Sequence, residues 1–396
     1  MIGRKELLMP NYRKSASIIL SAACGIALLW DASSATAAMP TPQRKPVISR
    51  PKDANKPAPQ GAAAAKQKDS KVSKDSTADV ASGEKALPAE DVDEGTPLPP
   101  YPKSARVGTG EMRTYTIGEE DTLLDIARHF SLGYVELRAA NPDIDPWSPL
   151  PGDVIVIPTF KLLPRARQDG IVVNLGEMRL YYFRGAGTAP LSYPLGIGRE
   201  GLETPTGETY ISRKMAGPTW FPTKRMREEK KWLPSAVGPG DSNPLGTHAM
   251  YLGFPEVLIH GSNKPWGIGR RVSSGCMRMY PEDIVTMFSI TPVNTRVTIV
   301  NQPIKVGWVG DGLYLEANPS MTQSDAIEIG GVHSIKGLND GIRKNIIETA
   351  GDKAARIDWN TAQRVVKERR GYPVLIATMK DSQEESYSYR SQSEYN

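Results

Sequence analysis

Cysteine and histidine are scarce in this chain: 396 residues hold two cysteines and four histidines. Two cysteines leave no room for a disulfide framework, and Cys and His do not recur at paired ligand spacings, so neither a stapled scaffold nor a zinc site is expected. No metal or organic cofactor is called for. Long apolar runs are scarce too. The run from Ala16 to Trp30 is shorter than the ~20 residues a spanning helix needs, and Asp31 closes it. Strong charge is missing as well. A formal net charge of +5 is a modest excess that a solvated surface accounts for, and no nucleic-acid partner is expected.

The apolar run follows Arg4, Lys5, Arg13 and Lys14 and precedes small residues with Ala35-Thr36-Ala37 as a cleavage site, the order of a secretory signal over 1–37. The alternative, an uncleaved anchor, needs a longer run. Cys24 lies within the signal, and the apolar residues after it argue against a lipidation box. Cys276 is then the thiol of the exported protein. From 38 to 112 the chain is rich in Pro, Ala, Lys and Ser and nearly free of aromatics, which predicts a disordered linker with a stiff end at Pro97–Pro102. The stretch 379–396 reads as a polar tail.

Between these lie three blocks. The first, 113–159, reads strand, helix, helix, strand: Arg113–Ile117, a helix capped by Asp121-Thr122, Tyr134–Ala140 stopped at Asn141-Pro142, and Val154–Pro158. The second, 161–302, is mostly strands and glycine-rich turns. It has a hairpin at Gly170–Leu175 and Met178–Phe183, a strand Glu208–Ser212, a short strand ending on His260, a helix over Tyr280–Phe288 and a closing strand Arg296–Val300. The third, 303–378, pairs strands at Leu313–Ala317 and Val374–Ile376 with helices over Gly337–Ala350 and Thr361–Arg370. The whole is mainly β, with a small α+β block at its end.

An exported thiol without a partner, set in Ser273-Ser274-Gly275-Cys276-Met277-Arg278 with His260 upstream, reads as a nucleophile. A free thiol with a pKa of about 8.5 is mostly protonated at neutral pH, so an imidazole must take its proton. His260 is the candidate, and the amides of Gly275 and Cys276 are candidates for an oxyanion hole. Arg278, two residues on, falls on the same side of an extended segment and places a fixed charge beside the thiol or a substrate carboxylate. Each residue has a bland alternative: a buried small hydrophobe, a structural histidine, a surface ion pair. The combination outweighs them.

The motifs then meet known families. Tyr115-Thr116-Ile117, Asp121-Thr122-Leu123, Asn141-Pro142 and Pro151-Gly152-Asp153 with the strand after them resemble a LysM module, which implies binding of N-acetylglucosamine-containing glycan. His260-Gly261-Ser262 with Ser273–Met279, Gly196-Ile197-Gly198, Glu203–Gly207, Pro218-Thr219-Trp220 and Asn243–Gly246 resemble the YkuD-type L,D-transpeptidases. That resemblance implies a β-sandwich catalytic domain and a periplasmic location. It implies that Cys276 attacks the L-centre carbonyl of the diamino acid in a peptidoglycan tetrapeptide, releasing D-alanine. The acyl group would pass to an amine, of a second stem or of an outer-membrane lipoprotein's terminal lysine; hydrolysis of the same bond and a non-catalytic wall-binding role are the alternatives. It also implies a carbonyl at Gly261 or Ser262 orienting His260, with Arg278, Ser274 and Trp220 on the substrate. The commonest form of the motif has His where this chain has Ser274, which leaves His260 as the candidate base.

Overall fold

A computed structural model describes residues 96–185, 187–328 and 337–379. The expected signal, the linker up to residue 95 and the expected tail beyond Met379 lie outside them. No helix among the described residues is long and apolar enough to cross a membrane.

The stretch 96–112, expected as the end of a disordered linker, is ordered. The Leu98 amide donates to Asn345 Oδ1 (3.0 Å), and Asn345 Nδ2 donates back to the Thr96 carbonyl (3.1 Å). Tyr101 donates to the Leu163 carbonyl and lies under the Arg165 guanidinium. Strand β1 (Gly108–Thr109) pairs with residues Lys161–Leu162. The prolines explain the departure from composition. They have already restricted the unfolded chain, so a few contacts suffice to fix this segment.

The first block is a two-stranded sheet closed by two helices. Strand β2 (Met112–Thr116) leads to α1 (Leu123–His129), whose first turn is capped by the Thr122 hydroxyl. Helix α2 (Tyr134–Ala140) stops at Asn141, whose side chain bonds the Leu137 carbonyl and both the amide and carbonyl of Val156. That clips the helix to β3 (Val154–Pro158), which pairs antiparallel with β2. Strand β4 (Lys161–Leu162) follows after two residues, leaving no free linker.

The second block runs through β5 (Gly170–Asn174), β6 (Arg179–Phe183), β7 (Leu191–Pro194), β8 (Ile197–Gly198) and β9 (Gly207–Ala216). A long connection holding α3 (Lys224–Glu229) leads to β10 (His248–Leu252), β11 (Leu258–His260), β12 (Arg271–Ser273) and β13 (Met277–Arg278). Helix α4 (Pro281–Ile290), with Pro281 at its first turn, precedes β14 (Arg296–Val300). Eight of these strands form one curled sheet in the order β13-β11-β10-β9-β14-β5-β6-β7. Alternate residues of the strands, Ile171, Val173, Leu180, Met250, Ile259, Met277 and Val297, converge with Ile284 and Met287 of α4 on one core. Strand β9 outruns the expected Glu208–Ser212 because its far half pairs with β10 across a bulge.

In the third block, β15 (Ile304–Val309) and β16 (Gly312–Ala317) form a hairpin. Helices α5 (Met321–Glu328), α6 (Asp340–Ala350) and α7 (Trp359–Glu368) precede β17 (Val374–Thr378), which completes an antiparallel sheet on β16. Ile342 and Ile346 of α6 and Val366 of α7 cover that sheet. Helix α5 instead leaves the block and lies against α2 and β12.

Buried charges join the three blocks. Glu136 of α2 meets Lys161 (2.8 Å) and Arg179 of β6 (2.9 Å), and Lys161 Nζ donates to the Gly371 carbonyl. Lys305 of β15 sits between Glu177 (2.8 Å) and Glu316 (2.9 Å), with all three side chains at most 1% exposed.

Candidate active site

Strand β11 is short, and its middle residue, Ile259, is sealed in the core. His260 therefore points to the opposite face of the sheet. β11 pairs antiparallel with β10, setting His260 beside Ala249, and parallel with β13, setting it beside Arg278. Met277 is in the core, so Arg278 shares the His260 face and Cys276 precedes it by two residues. Parallel pairing thus brings together residues that the sequence separates.

The turn that presents Cys276 depends on Gly275, whose φ of 100° is costly for any side chain. Neither the Gly275 nor the Cys276 amide donates a hydrogen bond within the described residues. The Ser273 hydroxyl donates to the Cys276 carbonyl and pins the loop from below. The thiol donates to the Glu256 carbonyl at 3.4 Å; the structure gives no hydrogen bond from it to His260.

His260 is buried, and its Nδ1 lies 2.6 Å from the Gly261 carbonyl. That contact assigns the proton to Nδ1 and leaves the lone pair on Nε2. Of the two carbonyls expected to orient the ring, Gly261 supplies it. Ser262 is buried elsewhere, its hydroxyl accepting from the Lys264 amide. Burial, and then the Arg278 guanidinium, push His260 down to about 3 against the pull of the Gly261 and Leu245 backbones. Burial pushes the Cys276 thiol up, opposed by the Leu258 backbone and Arg278. Both shifts favour the uncharged forms, a thiol and a neutral imidazole.

Arg278 is held by its backbone, which exchanges two hydrogen bonds with Gly196. Its Nε is buried without a partner, and among the described residues no carboxylate pairs with it.

Ser274 lies in the loop before Cys276, half-buried. Trp220 is in the long β9–β10 connection, bridged through its backbone to Val237, and no hydrogen bond links it to Cys276, His260 or Arg278. The root of that connection is stitched by Asn243, whose buried amide donates to the carbonyls of Pro218, Val237 and Gly238 and accepts from the Leu245 amide. No group of three or more His, Cys, Asp or Glu among the described residues could hold a metal ion. The Glu256 carbonyl went unforeseen, since a backbone acceptor leaves no mark on the sequence.

Comparison with known proteins follows the same division of the chain. Residues 168–299 match the L,D-transpeptidase catalytic domain model of YkuD, and residues 115–158 match the LysM domain. The chain is 41% identical over 228 residues to the probable L,D-transpeptidase YcfS of Escherichia coli, covering 55% of this chain and 70% of that protein. It is 36% identical over 284 residues to the probable L,D-transpeptidase YbiS of the same species, covering 70% of this chain and 90% of that one. With the probable L,D-transpeptidase ErfK/SrfK of Salmonella typhimurium it shares 35% over 289 residues, 71% of this chain and 90% of the other.

Proposed function

The chain belongs to the YkuD family of L,D-transpeptidases and carries a LysM domain, and on that premise we propose that Cys276 is its acyl-carrying nucleophile and His260 its base. The observation that carries this reading is the parallel β11–β13 pair, which registers His260 against Arg278, with Cys276 in the turn that leads into β13. The donor is the tetrapeptide stem of peptidoglycan, with a carboxylate of the stem on Arg278, and the LysM domain engages the glycan. Export to the periplasm fits the expected signal.

The thiol leaves the Glu256 carbonyl and turns to Nε2 of His260, which takes its proton as Sγ bonds to the L-centre carbonyl carbon. Nδ1 already donates to Gly261, so the imidazolium that forms is oriented and partly stabilised. The oxyanion is received by the free amides of Gly275 and Cys276. Collapse breaks the C–N bond, and His260 returns the proton to the departing D-alanine amine. An acceptor amine then attacks the thioester, loses its proton to His260 and expels Sγ, restoring the thiol. An acceptor from a second stem gives a crosslink; an outer-membrane lipoprotein's terminal lysine gives an anchor. Burial, and then Arg278, keep His260 from charging early, so the base is available at neutral pH.

Carbapenem treatment followed by intact-mass analysis tests the assignment. The wild type is expected to gain one adduct and Cys276→Ala none, with His260→Ala at least ~10²-fold slower. An adduct on Cys276→Ala, or near-normal acylation of His260→Ala, would overturn the corresponding role.

A further inference from the structure

The third block supplies none of the proposed catalytic side chains, yet one of its helices reaches the strand that leads into the Cys276 loop. Helix α5 lies on β12, and β12 ends three residues before Cys276. We propose that Arg271 and Asp325 are positioning residues for Cys276, and that the C-terminal block acts on the reaction through this pair.

Arg271 is 5% exposed in its side chain, and its Nη1 meets Asp325 Oδ2 of α5 at 2.6 Å. Its Nη2 faces Glu203 at 4.0 Å. Glu203 also accepts from the Gly201 amide (2.7 Å), while the carbonyls of Leu202 and Glu203 back the Cα of Gly275, 3.8 and 3.6 Å from where a Cβ would stand. The guanidinium therefore spans from α5 to the turn that supports the glycine of the nucleophile loop. Neighbouring Arg270 adds a second anchor, with Glu328 of α5 at 2.8 Å and the Tyr134 ring of α2 at 3.9 Å. From the other side, the first amides of α2 donate to the carbonyls of Ile268 and Gly269.

A displacement of β12 has a short path to the reacting atoms. Ser273 accepts from the Arg199 amide and donates through its hydroxyl to the Cys276 carbonyl. A buried guanidinium needs its counter-charge, and removing Asp325 leaves Arg271, among the described residues, the more distant Glu203 to close upon. That draws the turn away from Gly275 and misplaces the two free amides. Misplacement of such groups by ~1 Å costs on the order of 10²-fold in rate.

The test is carbapenem acylation of the full chain, resolving the first-order rate from the half-saturating concentration. Asp325 is 41% exposed in its side chain, so Asp325→Asn should fold. We expect it to acylate ~10-fold more slowly at an unchanged half-saturating concentration, with Asp325→Glu recovering part of the rate. Arg271→Gln with Asp325→Asn should be no slower than Arg271→Gln alone. Arg296→Gln, which breaks an ion pair with Glu208 elsewhere on the sheet, is the control and should keep the wild-type rate. A wild-type rate in Asp325→Asn, multiplying effects in the double variant, or equal slowing in Arg296→Gln would overturn the proposal. The inference rests on Cys276 as nucleophile: a wild type that takes no adduct sinks that reading, whereas equal acylation of wild type and Asp325→Asn sinks this one alone.

Discussion

His260 is buried beside a guanidinium, and both conditions act against its protonation. With its pKa near 3 rather than 6.5, the ring is neutral across the working range. Acylation by carbapenem should therefore be flat between pH 5 and pH 8 instead of falling below pH 6.5; an acid limb centred near 6.5 would show that the base is another group. The same shift bears on folding. The unfolded chain takes up the proton first, so stability from this residue is full above pH 6.5 and is lost as the pH falls toward 3. Arg278 gives a second prediction. Arg278→Gln should raise the half-saturating concentration of a tetrapeptide donor ~10-fold or more, while an unchanged value would remove it from the donor's carboxylate. Cys276, His260 and Arg278 were legible in the sequence because their chemistry resides in side chains of unusual type and spacing. The family resemblance narrowed the orienting carbonyl to Gly261 or Ser262, and the structure puts Gly261 on Nδ1; the Glu256 carbonyl acts through backbone direction alone and left no mark on the sequence.

At the scale of elements, legibility followed hydrophobic pattern. The β5–β6 hairpin, α4 with its leading proline, and the helices of the first block were visible because apolar residues recur at the strand or helix period. Strand β15 was not, because its buried run includes Lys305, which an alternating pattern assigns to solvent. Helix α5 buries Gln323 and Ser324 instead of an apolar stripe, so nothing marks it as helical. The β9–β10 connection is held by one polar side chain. Asn243→Ala removes its four hydrogen bonds and takes the donor from the buried Pro218 carbonyl, and should destabilise the protein by roughly 1–3 kcal/mol in denaturant unfolding. In α4, burial and then neighbouring Glu282 raise Asp283 to about 7, and its Oδ2 has no partner. A raised carboxyl stabilises the fold below its unfolded value near 4 and loses that contribution as pH rises to 7. Asp283→Asn should thus gain in melting temperature over the wild type as pH goes from 4 to 7, and a constant gap would contradict the burial argument.

Across the whole molecule, the blocks are joined by charges that composition cannot locate. Lys305 is shared by two carboxylates from different blocks, and Glu136 reaches from the LysM domain into the YkuD domain. Lys305→Met would strand two buried carboxylates and should cost about 3–5 kcal/mol. Calorimetry of the wild type should accordingly show one cooperative transition, where separate transitions would mean that the blocks unfold independently. The linker expected to stay loose up to 112 is partly drawn into this assembly from residue 96, through contacts that its prolines make inexpensive in entropy. The central claim, however, is chemical: a thiol on the His260 face exchanges D-alanine for another amine. Mass spectrometry of disaccharide-tetrapeptide incubated with the purified protein, with Cys276→Ala as control, tests it most directly. The account predicts a Cys276-dependent dimer that has lost one D-alanine, or a tripeptide adduct when a lysine-terminated peptide is the amine supplied. Unaltered tetrapeptide with both amines present would contradict it.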